Sequence, residues 1–220
     1  MNFIDIILEV VKIKFKTILV WTFRILLIGA IIANIVTLHW LSLFISILAL
    51  VTTYIPNFLS NKNILFIPSD IQIFILIFVF ASLYLGELRN FYHHFWWWDT
   101  LLHTFSGIIL GFIGFTLIYF LNREEDIDVI LSPLFIGVFA FSFAVTFGVF
   151  WEIFEFAMDN IFALNMQKSG LVDTMWDLIA DCIGGGIAAY YGYNYLKKDM
   201  KSYFEEALKK VLKDNSHLFD

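Results

Sequence analysis

WWWDTLLHTFSGIILGFIGFTLIYFL, residues 96–121, is the stretch whose reading decides the fold. From Thr104 to Leu121 it carries no charge, and it is long enough for a helix to cross the hydrocarbon core of a bilayer. Three tryptophans precede it, the residue type enriched where membrane meets water. Asp99 and His103 stand in its opening turns. A carboxylate inside a span costs about 2.5–3.5 kcal/mol on insertion scales, so it needs a partner, a proton, water or a metal.

Working outward, the same kind of stretch recurs. Hydrophobic residues make up 60% of the 220-residue chain and the mean hydropathy is +0.80. Soluble domains run at about 45–50% apolar. The apolar runs are continuous and do not alternate, which argues against a β-barrel. The expectation is an all-α polytopic membrane protein, a bundle of about six spans: 17–36, 39–57, 71–88, 99–121, 131–158 and 173–195. Residues 1–16 read as an amphipathic N-terminal helix, with Ile4, Ile7, Leu8, Val11 and Phe15 opposite Asp5, Glu9, Lys12 and Lys16. Residues 17–195 form the transmembrane domain, and 196–220 a Lys-rich amphipathic tail. Arg24 lies near enough to the end of its span to snorkel.

An even number of spans puts both termini on one side. Lys12, Lys14 and Lys16 flank the first span, and Lys197, Lys198 and Lys201 the last. The positive-inside rule then places both ends in the cytoplasm of a multi-pass protein of the plasma or inner membrane. No small-residue cleavage site follows the first apolar run, so no removable signal peptide is read. There is no basic face interleaved with aromatics, which argues against nucleic acid as a partner. The single cysteine, Cys182, rules out an internal disulfide and a thiolate metal cluster.

With this span order Glu87, Arg89, Asp99, His103, Glu152, Glu155, Asp159, Asp173, Asp177 and Asp181 all belong to the outer layer of the membrane. Spacing places them on common faces: Asp99 and His103 at i, i+4; Glu152, Glu155 and Asp159 at i, i+3, i+7; Asp173, Asp177 and Asp181 at i, i+4, i+8. At about 1.5 Å rise per residue, Asp181 sits roughly 12 Å deeper than Asp173, so the acids descend like the wall of a funnel. Few cations face them: Arg89, Lys168 and protonated His103. Crowded carboxylates without countercharge cannot all stay ionised. Either some are neutral, or a divalent cation sits among them, and oxygen ligands with one histidine suit Mg, Mn, Ca or Zn.

Three uses of such a constellation remain open. The acids form a metal or catalytic site, they form a proton or ion path, or they hydrogen-bond Trp151, Trp176, Ser106 and backbone to fix helix register. His93 and His94 fit an interfacial position. Gly107 and Gly111 form a GxxxG, with Gly114 beyond, and Gly184, Gly185 and Gly186 fall on the sixth span. Small residues let helices approach closely in lipid, so spans four and six are expected to be neighbours.

The motifs WWWDTLLHTFSG (96–107), FWEIFEF (150–156) and GLVDTMWDLIADCIGG (170–185) resemble those of the YjdF-like inner-membrane proteins, a family of unknown function, and more distantly those of the VanZ-like membrane proteins. The resemblance covers roughly 85–190. It carries over Asp99, His103, Glu152, Glu155, Trp176, Asp177, Asp181 and Gly184, and leaves Asp173 displaced by one position. It implies a multi-span inner-membrane location and no activity. The VanZ-like relatives are associated with low-level glycopeptide resistance, which points by analogy to cell-envelope substrates.

The leading expectation is a carboxylate and histidine site open to the outer side. Asp99, His103, Asp177 and Asp181 are the candidate metal ligands. Glu152 and Glu155 are the candidate acid–base pair or outer supports of the ligands. A metal-dependent hydrolase or transferase acting on a phosphoester of a membrane lipid or lipid-linked envelope molecule would use such a site. The alternatives are a proton- or ion-coupled transporter and a scaffold with a buried polar core. No serine or cysteine with an adjacent base is apparent, which disfavours a covalent hydrolase.

Overall fold

The structure, a computed structural model, describes residues 3–121, 131–198 and 203–215, and every regular element among them is helical. In chain order these are α1 (Phe3–Val36), α2 (Trp40–Thr52), α3 (Ile55–Asn61), α4 (Ser69–Val79) running on into a π-helical stretch (Phe80–Leu88), α5 (Phe91–His94), α6 (Trp98–Leu121), α7 (Pro133–Phe162), α8 (Leu171–Lys198) and α9 (Tyr203–Asp214). Among the described residues five stretches are long and apolar enough to cross a membrane: Val10–Val36, Ser42–Asn61, Ser69–Leu88, Trp98–Tyr119 and Pro133–Phe162. Helix α8 is the sixth long helix. Its aspartates lower its hydropathy, but Asp177 and Asp181 are buried against α6 and α7 and do not face lipid.

The chain divides into two compact units, residues 1–96 with 209–220, and residues 97–208. In the first, α1 runs unbroken through residue 16, so the expected surface helix and first span are one element. The side chains of residues 3–9, which carry part of the expected amphipathic pattern, lie outside the described residues, as do residues 122–130 and, within the expected tail, 199–202 and 216–220. The expected second span bends at Thr53–Tyr54, because Pro56 in the first turn of α3 has no N–H to continue the helix before it. Lys12 bonds Asp70, and Lys210 bonds the same carboxylate, so one acid joins α1, α4 and α9. Asn215 closes the tail by exchanging hydrogen bonds with the Phe66 backbone, at 2.7 Å in each direction.

The second unit is built on α6, α7 and α8, each packed on the other two. Helix α7 starts where its sequence demands: Ser132 accepts a hydrogen bond from Phe135 N at 3.2 Å and Pro133 occupies the first turn. Small residues fix the α6–α8 crossing. A Cβ added to Gly107 would lie 2.6 Å from the Asp181 carbonyl oxygen and 3.1 Å from Gly184 Cα, and one on Gly111 would lie 2.6 Å from Ala188 Cβ. A Cβ on Gly184 would overlap the Thr104 carbonyl. The two backbones therefore touch along the GxxxG face, as expected for spans four and six.

Candidate functional site

Backbone contact between α6 and α8 puts the opening turns of both helices beside the closing turns of α7. The acids of all three then share one end of the unit. His103 stands at the centre. Its Nδ1 lies 3.2 Å from Asp181 Oδ2. Its Nε2 lies 3.9 Å from Asp99 Oδ1 and 3.9 Å from Glu152 Oε1. One ligand atom each of Asp99, His103 and Asp177 falls within 4.8 Å of the others, a spacing that suits a single metal ion.

Asp181 lies behind the histidine, not beside that group of three. Its Oδ1 accepts a hydrogen bond from Ser106 Oγ at 3.1 Å, and its Oδ2 faces His103 Nδ1. A Cβ on Gly148 of α7 would overlap Asp181 Oδ2, so the carboxylate fills the space that glycine leaves. Three helices thus converge on one aspartate, which orients the imidazole and turns Nε2 toward the other acids.

Side-chain exposure falls with depth, from 24% at Lys168 and 18% at Asp99 to 9% at His103, 4% at Glu152 and 1% at Asp181. The cluster therefore opens at the Asp99 edge and closes at Asp181. That gradient has the sense expected for a funnel.

Glu152 is the anomaly. Neither of its carboxylate oxygens has a hydrogen-bond partner among the described residues, although both are buried. Thr174 and Gln167 approach it: Thr174 Oγ1 accepts from Gln167 Nε2 at 2.7 Å, which leaves the Thr174 hydroxyl proton and the second Gln167 amide proton as donors on the Glu152 side. Buried polar groups are nearly always satisfied by protein or ordered water, so Glu152 is the member of the cluster with bonding capacity to spare. Glu155 is anchored by Trp151 Nε1 at 2.9 Å and has Glu152, Asp99 and His103 as its charged surroundings.

The remaining predicted acids build the loop that roofs this end. Asp159 accepts from Met166 N at 2.7 Å and Gln167 N at 2.9 Å. Asp173 accepts from Lys168 N at 3.1 Å. Together they present Lys168, whose Nζ pairs with Asp99 Oδ2. The sequence marked Lys168 only as a nearby cation; its pairing depends on the fold of residues 163–170, in which Ala163 and Gly170 adopt positive φ.

Other predicted positions fall elsewhere. Glu87, Arg89, His93 and His94 belong to the first unit. His94 Nδ1 lies 2.8 Å from the Asn90 carbonyl oxygen, and its side chain is exposed. Trp176, carried over by resemblance, is exposed on α8. Ser106, named at the outset only as a register partner, proves to hold the deepest carboxylate. Its place one turn beyond His103 on the same helix was the available signal.

What the arrangement can do chemically follows from the donor set. It offers one imidazole nitrogen, hard carboxylate oxygens, an ammonium group at the rim and, deep in the cluster, the Ser106 hydroxyl held on Asp181. The ligand atoms of Asp99, His103 and Asp177 are close enough together for one metal ion to reach all three.

Comparison with known proteins agrees on the membrane character. A family described as "Predicted membrane protein (DUF2238)" matches residues 16–198, which include every residue of the cluster. An uncharacterized protein of Thermotoga maritima is 31% identical over 120 residues, covering 54% of this chain and 59% of the relative. The chain thus spans under two thirds of that relative's length. No solved structure matches. The family match covers most of the chain, and the YjdF-like resemblance is consistent with it: this chain belongs to the DUF2238 family of membrane proteins.

Proposed function

We propose that this protein is a membrane-embedded metalloprotein of the cell envelope whose second unit holds a divalent cation between Asp99, His103 Nε2, Asp177 and Glu152. The observation that carries the reading is the cluster of ligand atoms: those of Asp99, His103 and Asp177 lie within 4.8 Å of one another, and the buried Glu152 Oε1, with no hydrogen bond within normal geometry among the described residues, lies 3.9 Å from His103 Nε2. A cation supplies the missing partner for Glu152 and balances charges that Lys168 alone does not. Asp181 then acts as the carboxylate behind the ligating histidine, an arrangement that fixes tautomer and ring direction. This changes its role from the expected ligand to the support of one. Oxygen-rich ligation with one nitrogen suits Mg, Mn, Ca or Zn.

A bound divalent ion would lower the pKa of a coordinated water or neutralise a phosphate. Around it, Glu155 stands one turn from Glu152 and serves as the group that accepts or returns a proton. Lys168, at the open edge, faces the approach of an anionic substrate. The reaction class this supports is hydrolysis or transfer at a phosphoester of a lipid or lipid-linked envelope molecule entering from the outer leaflet, with both termini in the cytoplasm.

The test is metal content. Protein purified in detergent without chelator, then equilibrated with Mn²⁺, is expected to bind close to one ion per chain, and Asp177→Asn to bind it at least tenfold more weakly. If the wild type binds no Mn²⁺, Mg²⁺, Ca²⁺ or Zn²⁺ above the level of Asp177→Asn, the metal reading is wrong. Proton uptake by the metal-free protein in liposomes would then favour the relay.

A further inference from the structure

The first unit contains a polar site of its own. Arg24 lies about two turns beyond Lys16 on α1 and is 6% exposed, in a stretch apolar enough to span the membrane. It does not snorkel. Its Nε donates to Thr53 Oγ1 at 3.0 Å and one terminal nitrogen donates to the Thr53 carbonyl at 3.1 Å. Its guanidinium carbon lies 3.7 Å from the centre of the Tyr54 ring and 5.3 Å from that of Trp21. Among the described residues no carboxylate pairs with it. The bend at Thr53–Tyr54, forced by Pro56, is what provides this socket.

Arg24 borders a cavity of about 220 Å³, far more than the roughly 10–15 Å³ one water needs. Lys16, Thr17, Asn57 and Gln72 share its lining, and the lining contains no acidic residue. Lys16 reaches across to Gln72 Oε1 at 3.0 Å. Two cations therefore face one cavity, whose other polar side chains are uncharged amides, hydroxyls and the Trp21 indole. A guanidinium has five N–H donors, and Thr53 uses two. The rest form the planar fork that binds phosphate oxygens in pairs.

A buried cation in a membrane span needs a counter-charge, and the described residues supply none here. We propose that this cavity binds a phosphate anion, the headgroup phosphate of an anionic phospholipid, with Arg24 as the bidentate ligand and Lys16 as the second cation. The apolar side chains of Ile18 and Ile25, exposed on the same helix, offer a surface for the acyl chains.

The experiment uses the full-length protein in a neutral detergent, with phosphatidylglycerol, phosphatidylcholine or inorganic phosphate as separate additions. Retained lipid is read by native mass spectrometry and protection by thermal unfolding. The wild type is expected to retain phosphatidylglycerol at least tenfold better than phosphatidylcholine. Arg24→Gln and Lys16→Gln should both lose that preference, while Lys213→Gln, on the basic tail, should keep it. Arg24→Gln leaves the Thr53 carbonyl with one donor fewer, and the half-buried Lys16→Gln removes a charge without touching the bend, so the second variant reads binding even if the first unfolds. Inorganic phosphate protecting as well as phosphatidylglycerol, and losing its effect in Lys16→Gln, supports the phosphate site and assigns its source to solution. Equal retention of both lipids, or a Lys16→Gln variant that behaves as the wild type in every arm, overturns the proposal.

Discussion

Gly148→Ala tests the geometry of the acidic cluster most directly. In α7 this glycine faces Asp181, and an added Cβ would overlap Oδ2 and lie 2.8 Å from Cγ. Asp181 is 1% exposed and has no room to step back. Overpacking of this kind costs about 1–3 kcal/mol. Moving the carboxylate also weakens its bonds to Ser106 or His103, and a hydrogen bond to a charged group contributes about 1.5–3 kcal/mol. Alanine returns about 1 kcal/mol through helix propensity. The net expectation is a loss of about 1.5–5 kcal/mol. Two alanine variants serve as controls. At Gly137 the new Cβ would lie 3.5 Å from the Ala189 carbonyl, an ordinary contact, and at Gly186 it would meet nothing within 4 Å. Both should be neutral or stabilising by up to about 1 kcal/mol. Reversible unfolding in mixed micelles, titrated with denaturing detergent, gives the three values side by side. If Gly148→Ala unfolds with the same midpoint as Gly137→Ala, Asp181 does not sit against α7 and the convergence of three helices on it is wrong.

Glu152→Gln should leave metal-free stability unchanged or raised, since it removes a buried charge that no hydrogen bond satisfies, yet weaken Mn²⁺ binding at least tenfold; a loss above about 1 kcal/mol without metal would make Glu152 a structural group instead. Asp181→Asn should cut Mn²⁺ affinity by about 10–100-fold without removing a ligand, and unchanged affinity by calorimetry would detach Asp181 from the histidine's role. Lys168→Met should cost no more than about 1 kcal/mol, because the pair with Asp99 is partly exposed, and should tighten Mn²⁺ binding severalfold by freeing Asp99; weaker binding would reverse the sign assigned to Lys168. Mn²⁺ affinity should fall as pH is lowered, because ligands must shed protons to bind, and a flat profile between pH 8 and 5.5 would speak against His103 as a ligand.

Much of this is legible in the sequence. Long apolar runs named the membrane helices, because lipid leaves a chain few other ways to satisfy its backbone. The i, i+4 and i, i+3 spacings put Asp99 with His103 and Glu152 with Glu155 on common faces, and helix geometry kept them there. Glycine spacing anticipated the α6–α8 contact. Other features were not legible. The join of residues 3–16 to the first span is invisible to periodicity, since a helix can change from a two-faced to an all-apolar pattern without a break. Arg24 looked free to snorkel, because nothing local to residue 24 reports a bend at Thr53, 29 positions on.

The sequence by itself determined the solvent of this protein, its helices and the list of acids that a membrane would not accept unpartnered. Those properties depend on residues within a few turns of one another. Only the tertiary structure decided their division of labour: Asp181 behind the imidazole, Glu152 without a bond, Asp159 and Asp173 tied to a loop, Lys168 on Asp99. Such assignments rest on distances of 2.5–3.9 Å between side chains up to 78 positions apart. No pattern along the chain encodes them, because they are set by how closely glycines let three helices approach.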